Sequence, residues 1–459
     1  MVGAFTGWLL MDTFHSFKQI RMAQRQKKHL SPSNTEMQEP TNKQTILRTA
    51  DQTVTAVEQQ KQEKEQDDSS ITNEGRDNDL DSDDDDQGRQ KQEAKGDVIY
   101  PINAKTISKA KTVKKTSAST LTKADAALFP STGDTIHVLL TSGGGAYQNF
   151  QSRMMYGTYH MVRKLPEGQK LVAFTRILHR VKTDALMKEI PTFHAKPLQP
   201  ECDVWCDFPP ASRPDAVRQF FDAAKKRPSM IKAPWVFMTE CDYVWIKPVT
   251  APRAEDMASK SIAFLFTYIQ PTNPGIIDVI ERLHPGRPSS EIPPTGPAPA
   301  LMRVHEWLSI MPHWERITAS IEEDKDAKEK LGWVREMYAF SIACALENVN
   351  LELQLPPNSP LMIQPPADVD IGDAAIMHYT WGNIISDKDG KEVWRFDKRE
   401  YTDDKWEKNP EKLPEVPLYD ADAGWKLQDG VEVTLNLRDT LTMMIKTMNE
   451  AIKKLQPLA

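Results

Sequence analysis

The sequence predicts an α/β domain with a mainly parallel sheet over residues 136–399, preceded by a long polar stem. Two observations carry this prediction. Between those residues, short apolar runs closed by turn residues alternate with stretches of helical apolar spacing, the pattern of strands covered by helices. Before them, residues 31–132 are rich in Gln, Lys, Asp, Glu, Ser and Thr and have no sustained apolar period. Such a segment buries too little apolar surface to offset the entropy of ordering and reads as disordered.

The elements follow in order. Ile136–Ser142 is an apolar run ended by Gly143, Gly144 and Gly145, a strand and then a turn. Phe150, Met154, Gly157 and Met161 recur at helical spacing. Residues 170–175 read as a second strand and 215–225 as a helix. Trp235, Val236, Phe237 and Met238 form a strand running into Thr239, Glu240, Cys241 and Asp242, and residues 262–268 form another. After Gly332, the residues Val334, Met337, Tyr338, Ile342 and Ala345 mark a helix. A last amphipathic helix carries Leu437, Leu441, Met444, Met448, Ile452 and Leu455; it packs on the domain or docks a partner. Four segments result: a short apolar and basic N-terminus (1–30), the stem (31–132), the globular domain (133–400) and a C-terminal extension (401–459).

Composition narrows the function. Lys and Arg total 58 against 65 Asp and Glu, a net charge of −7. Residues 77–86 are almost wholly acidic and 105–123 are basic with Ser and Thr interleaved. With no basic helix, nucleic acid is not expected as a partner, and the basic block reads as a solvated linker. Four cysteines make no disulfide scaffold. Cys202 and Cys206 are near enough to pair, while Cys241 and Cys344 stand among apolar neighbours as expected of buried thiols. Residues 2–14 are mostly apolar but hold Asp12, and a spanning helix needs about 20 apolar residues. The run reads as the remnant of a single membrane anchor, an interfacial helix or an ordinary amphipathic start. Neither a G-x-x-x-x-G-K-[ST] loop, a G-x-S-x-G elbow nor an H-E-x-x-H pair occurs.

Several constellations could carry chemistry. Glu240 and Asp242 lie two residues apart at the end of an apolar strand, so both carboxylates project to one side at the sheet edge where open α/β folds bind ligands. Paired acids there repel unless a cation lies between them; Mn²⁺ or Mg²⁺ holding a diphosphate would serve, and a solvated strand end is the plain alternative. His378, after an apolar run, is a third ligand or a hydrogen-bonded core residue. Arg395, Lys398 and Arg399, interleaved with aromatics, either grip a diphosphate or form a surface salt-bridge strip. Glu336 lies off the apolar stripe of its helix, facing a cleft or pairing with Arg335 or another base. The glycines at 143–145 open a strand–helix turn whose amides can meet phosphate or ribose, or simply give a flexible turn.

Several blocks in order then carry a resemblance: residues 174–179 (FTRILH), 189–193 (EIPTF), 332–338 (GWVREMY), 364–366 (QPP), 378–382 (HYTWG) and 394–399 (WRFDKR). Together they make residues 136–399 resemble the plant hydroxyproline O-arabinosyltransferases, with the peptidyl serine galactosyltransferases a looser match. The resemblance implies a GT-A-like fold, a UDP-sugar donor and a Mn²⁺-type metal held by Glu240, Asp242 and His378. It also implies transfer of L-arabinofuranose from UDP-arabinofuranose to hydroxyproline of secreted or cell-wall proteins, with retention, by a catalytic domain in the Golgi lumen. Asp242 and Glu336 are then the candidate catalytic residues. Thr141, Ser142, Thr175, Arg176, Arg395, Lys398 and Arg399 are candidates for the donor, and Trp333 and Trp381 for the acceptor. Three features depart from the family's pattern: the Gly143–Gly145 turn, residues 202–218, and the short N-terminal apolar run. A UDP-galactose-dependent transferase acting on serine or hydroxyproline, an inactive sugar- or peptide-binding relative, and a scaffold built around the stem are the competing readings.

Overall fold

The computed structural model describes residues 122–458 apart from Trp205, Met257 and Trp381. The N-terminal apolar run and all of the stem before residue 122 lie outside the described residues. What remains of the expected stem belongs to the domain: Lys123–Leu128 forms a 3-10 turn, Phe129 joins the main core, and Asp125 pairs with Lys225 at 2.8 Å.

Thirteen strands are described: β1 (Ile136–Ser142), β2 (Leu171–His179), β3 (Thr192–Ala195), β4 (Trp235–Thr239), β5 (Tyr243–Trp245), β6 (Ser261–Phe264), β7 (Ala300–Arg303), β8 (Leu351–Gln354), β9 (Met362–Ile363), β10 (Ile376–His378), β11 (Asn383–Ser386), β12 (Glu392–Phe396) and β13 (Lys426–Leu427). Eight α-helices accompany them: α1 (Gly145–Val162), α2 (Arg213–Lys226), α3 (Ile277–Leu283), α4 (Val304–Glu323), α5 (Lys325–Leu331), α6 (Arg335–Leu346), α7 (Asp404–Lys408) and α8 (Leu435–Ile452).

Seven strands form the central sheet in the order β3-β2-β1-β4-β7-β6-β8. β1 is parallel to β2 and β4, β2 to β3, and β6 to β8; β7 alone runs against its neighbours β4 and β6. This is the GT-A-like α/β plan that the resemblance implies. Every residue of β1 is buried, as a central strand covered on both faces requires. The chain runs from β1 outward to β2 and β3, then returns to the other side of β1 as β4. That reversal is a topological switch point, and the crevice beyond the carboxyl ends of β1 and β4 is where such a sheet receives a ligand.

Two elements differ from the sequence reading. β2 continues past residue 175 to His179, because its pairing with β1 and β3 runs on through residues 176–179. β6 stops at Phe264, short of residue 268, because the Phe266 amide turns away to Pro294 O at 2.9 Å. β3, β7 and β8 are four residues each, too short to show a period.

The segment after residue 400 packs against the rest of the domain. Leu437, Leu441, Met444 and Met448 of α8 share a second core with Phe150 and Met154 of α1, Met377 of β10 and Phe396 of β12. Of the two readings of the last helix, packing on the domain is the one observed. The α1–α8 crossing is close at Gly157, where a Cβ would lie 3.1 Å from the Ala451 Cβ. The small sheet β5-β10-β9 contributes side chains to both cores, whereas β12-β11-β13 packs in the second.

Candidate functional site

β4 delivers the chain to the carboxyl edge, where the Thr239 hydroxyl donates to Leu139 O at 3.0 Å and pins its end against β1. Glu240, Cys241 and Asp242 follow, and the chain turns back into β5. β10 pairs antiparallel with β5, placing His378 opposite Tyr243, and the Tyr379 amide donates to Asp242 O at 3.3 Å. This register sets the His378 Nε2 atom 3.1 Å from Asp242 Oδ2. One ligand atom each from Glu240, Asp242 and His378 lies within 4.8 Å of the others.

Two cations close on these acids. Lys398 donates its ammonium to Asp242, and Arg213 donates to Glu240 and, at 3.1 Å, to Glu336 Oε2. Burial alone would raise the Asp242 carboxyl, but the Lys398 ammonium and His378 outweigh it and hold it below the usual carboxylate range. Lys398 keeps its proton for the reciprocal reason: Asp242 outweighs the cost of burial. Glu336 goes the other way. It is 2% exposed, and burial pushes its carboxyl up to about 7 against the pull of Arg213, with Glu240 adding to the rise.

The donor set suits a divalent cation. Two carboxylates and an imidazole are ligands that Mn²⁺ accepts readily, whereas Mg²⁺ prefers oxygen throughout. The Asp242 carboxyl is held ionised, as such an ion requires, and His378 presents one ring nitrogen to the cluster while its Nδ1 is buried without a partner. Cys241, between the two acids, is half-buried, unlike the fully buried Cys344. The other pair, Cys202 and Cys206, forms a disulfide.

The remaining sequence candidates divide by position. Thr141 and Ser142 end β1 at the same edge. Ser142 Oγ accepts the Gly144 amide at 3.1 Å, and the Gly143 amide donates to Gln148 Oε1 at 2.6 Å, so two of the three glycine amides are already bonded within the domain. Gly144 has φ +72, and a Cβ there would lie 2.7 Å from the Arg180 side chain; only glycine suits both. Thr175 lies in mid-β2, bonded to His137 Nε2 at 2.9 Å, away from the edge. Arg176 is fully buried and enclosed by Asp184 at 2.5 and 3.0 Å, Asn149 at 3.3 Å and Thr192 at 3.2 Å, so four of its five N–H donors are bonded within the domain. Arg395 is 44% exposed and clamped by Glu392 and Glu400, and the 60%-exposed Arg399 side chain holds Asp397. Of the basic trio, only Lys398 reaches the cluster, because the extended β12 and the turn after it send successive side chains in different directions. Glu336 pairs with Arg213, since Arg335 is taken by Glu322. Trp333 stands 61% exposed beside α6, and Trp381 lies outside the described residues. Sequence reasoning missed Arg213, at the start of α2 after two prolines; it has no local signal, since it matters through Glu240 and Glu336, which are distant in sequence.

Arg176→Met tests the structural assignment of that residue. Stranding Asp184 in a buried position is expected to cost about 3–5 kcal/mol of folding stability. Chemical denaturation reads this loss, and donor affinity of the folded fraction should be unchanged.

A family model for the hydroxyproline O-arabinosyltransferase family N-terminal domain matches residues 136–353. The chain is 31% identical over 282 residues to hydroxyproline O-arabinosyltransferase NOD3 of Pisum sativum, covering 60% of this chain and 79% of that protein. It is 33% identical over 282 residues to hydroxyproline O-arabinosyltransferase PLENTY of Lotus japonicus, covering 59% and 72%. Among solved structures, galactosyltransferase LgtC in complex with donor and acceptor sugar analogs aligns over 53% of this chain and 87% of its own, at 9% identity and a TM-score of 0.29. Mouse xyloside xylosyltransferase 1 aligns over 54% and 98%, at 12% identity and a TM-score of 0.29. Scores at this level carry no argument about this chain. The relatives, matched over more than two thirds of their length, do: the chain belongs to the hydroxyproline O-arabinosyltransferase family and is a glycosyltransferase.

Proposed function

We propose that the protein transfers L-arabinofuranose from UDP-arabinofuranose to hydroxyproline of secreted or cell-wall proteins, with retention of configuration and dependence on Mn²⁺ or Mg²⁺, in the Golgi lumen. The observation that carries this reading is the Glu240, Asp242 and His378 cluster at the switch point of a chain from this family. The location rests on the family resemblance alone. Among the described residues no helix is long and apolar enough to cross a membrane.

In the transfer, the bond from the anomeric carbon to the β-phosphate oxygen of UDP breaks. A bond from that carbon to the hydroxyproline oxygen forms, and the hydroxyl proton passes to the departing phosphate. A metal held by Glu240, Asp242 and His378 would stabilise charge on the leaving diphosphate. Lys398 adds a fixed positive charge beside it. Thr141 and Ser142, at the same sheet edge, contact the donor. Arg213 faces Glu240 and is held from behind by Glu336, so Glu336 acts through Arg213 and does not touch substrate. Trp333 and Trp381 are assigned to the acceptor.

The test is incubation with a hydroxyproline-containing peptide, Mn²⁺ and individual UDP-sugars, reading peptide mass. The expected result is one pentose added from UDP-arabinofuranose alone and abolished by chelator. A hexose added from UDP-galactose would overturn the donor assignment, and transfer undiminished by chelator would overturn the metal.

A further inference from the structure

Four tryptophans of the domain, Trp235, Trp245, Trp307 and Trp314, are fully buried, as their apolar area favours. Trp333 is the opposite case. Among the described residues it is the one aromatic side chain counted with the exposed large hydrophobics. It is also held in place. Its ring stands edge-on to Phe208, with centroids 5.3 Å apart and planes at 86°. Phe208 is itself buried, and the Arg335 guanidinium lies over its ring at 3.5 Å. Arg335 is fixed in turn by both Glu322 oxygens, at 2.5 and 3.2 Å, and by Gly332 O at 3.1 Å. An exposed indole on so firm a support loses little freedom when something stacks on it.

Its place in the fold points to the occupant. Phe208 and Arg213 belong to one segment, Trp333 and Glu336 to another, and the two segments meet twice. The outer meeting is Trp333 on Phe208, and the inner one is the 3.1 Å pair of Glu336 with Arg213, which also holds Glu240. The Cys202–Cys206 disulfide closes the loop just before Phe208. The exposed indole is therefore continuous with the acidic cluster, on the side of Arg213.

We propose that Trp333, backed by Phe208, is a docking platform for a proline- or hydroxyproline-rich acceptor chain in the polyproline II conformation; this rests on the hydroxyproline-transfer reading above. Proline fixes φ near −65°, so such a chain is an extended helix of three residues per turn with no internal hydrogen bonds. It presents rigid pyrrolidine faces, and flat aromatic side chains are the surfaces that bind them. An extended strand would instead need a free sheet edge, and Trp333 lies in a 3-10 turn.

The experiment uses the full chain and two ligands: an oligoproline that cannot be glycosylated, titrated by calorimetry, and a hydroxyproline peptide used as substrate. Trp333→Ala is expected to weaken oligoproline binding about tenfold and raise the peptide KM by a similar factor, the loss typical of an aromatic anchor. kcat at saturating peptide and the donor KM should stay within about twofold, and Trp333→Phe should recover most of the binding. Oligoproline binding that is absent in the parent protein, unchanged in Trp333→Ala, or matched by a proline-free peptide of equal length would overturn the platform. If oligoproline binds and Trp333→Ala weakens it while no sugar reaches hydroxyproline, the platform stands and the transfer reading fails.

Discussion

Asp242→Asn is expected to lower sugar transfer by about two to three orders of magnitude, the range lost with one preorganised electrostatic group. Asp242 sits where β4 reaches the carboxyl edge, is nearly buried, and is the acid that meets both His378 and Lys398. The substitution also leaves the Lys398 ammonium buried without its counter-charge, at a cost of about 3–5 kcal/mol. The two effects separate in a second variant. Lys398→Met added to Asp242→Asn should restore much of the lost stability, read by denaturation, without restoring transfer. If Asp242→Asn alone transfers sugar at the parent rate, the cluster is not where the chemistry occurs.

Glu336→Gln is expected to remove a pH dependence of stability. The folded carboxyl is pushed up to about 7 from an ordinary 4.5, mainly by burial. Between those values the folded protein keeps a proton that the unfolded chain has released. Stability therefore falls as pH rises through this window, by about 3 kcal/mol at 1.36 kcal/mol per pH unit. Denaturation curves at pH 4.5 and pH 7 should show that fall in the parent and a flatter profile in Glu336→Gln. Equal slopes in both proteins would show that Glu336 ionises as freely as a surface acid. Turnover should also drop in the variant while donor affinity holds, because Arg213 loses the support that aims it at Glu240.

Much of the architecture is legible in the amino-acid sequence. β1, β4, α2, α6 and α8 follow from apolar spacing, because the faces they bury are contiguous and the period is a local property of the chain. β3, β7 and β8 are not legible this way, being stabilised by neighbours and not by pattern. The same division runs through the site. Glu240 and Asp242 are readable as a close acid pair just past the apolar run of β4, although it is the turn from β4 into β5, and not strand alternation, that sets them together. Arg176 looks equally available in sequence, and only its enclosure by Asp184, Asn149 and Thr192 shows that it holds the fold together.

The sequence by itself determined the α/β class, the acid pair at the strand end and the family, since each rests on local spacing or on ordered blocks of residues. The tertiary structure alone decided which partners meet those acids. His378 and Lys398 are 136 and 156 residues from Asp242, and Arg213 is 123 residues from Glu336. Such pairings are set by the register of β10 on β5 and by the packing of α2 against the sheet edge. Burial then decided ionisation: two carboxyl groups near the same cluster are driven in opposite directions, Asp242 down because the Lys398 ammonium and the contact with His378 outweigh its desolvation, Glu336 up because Arg213 does not outweigh its own.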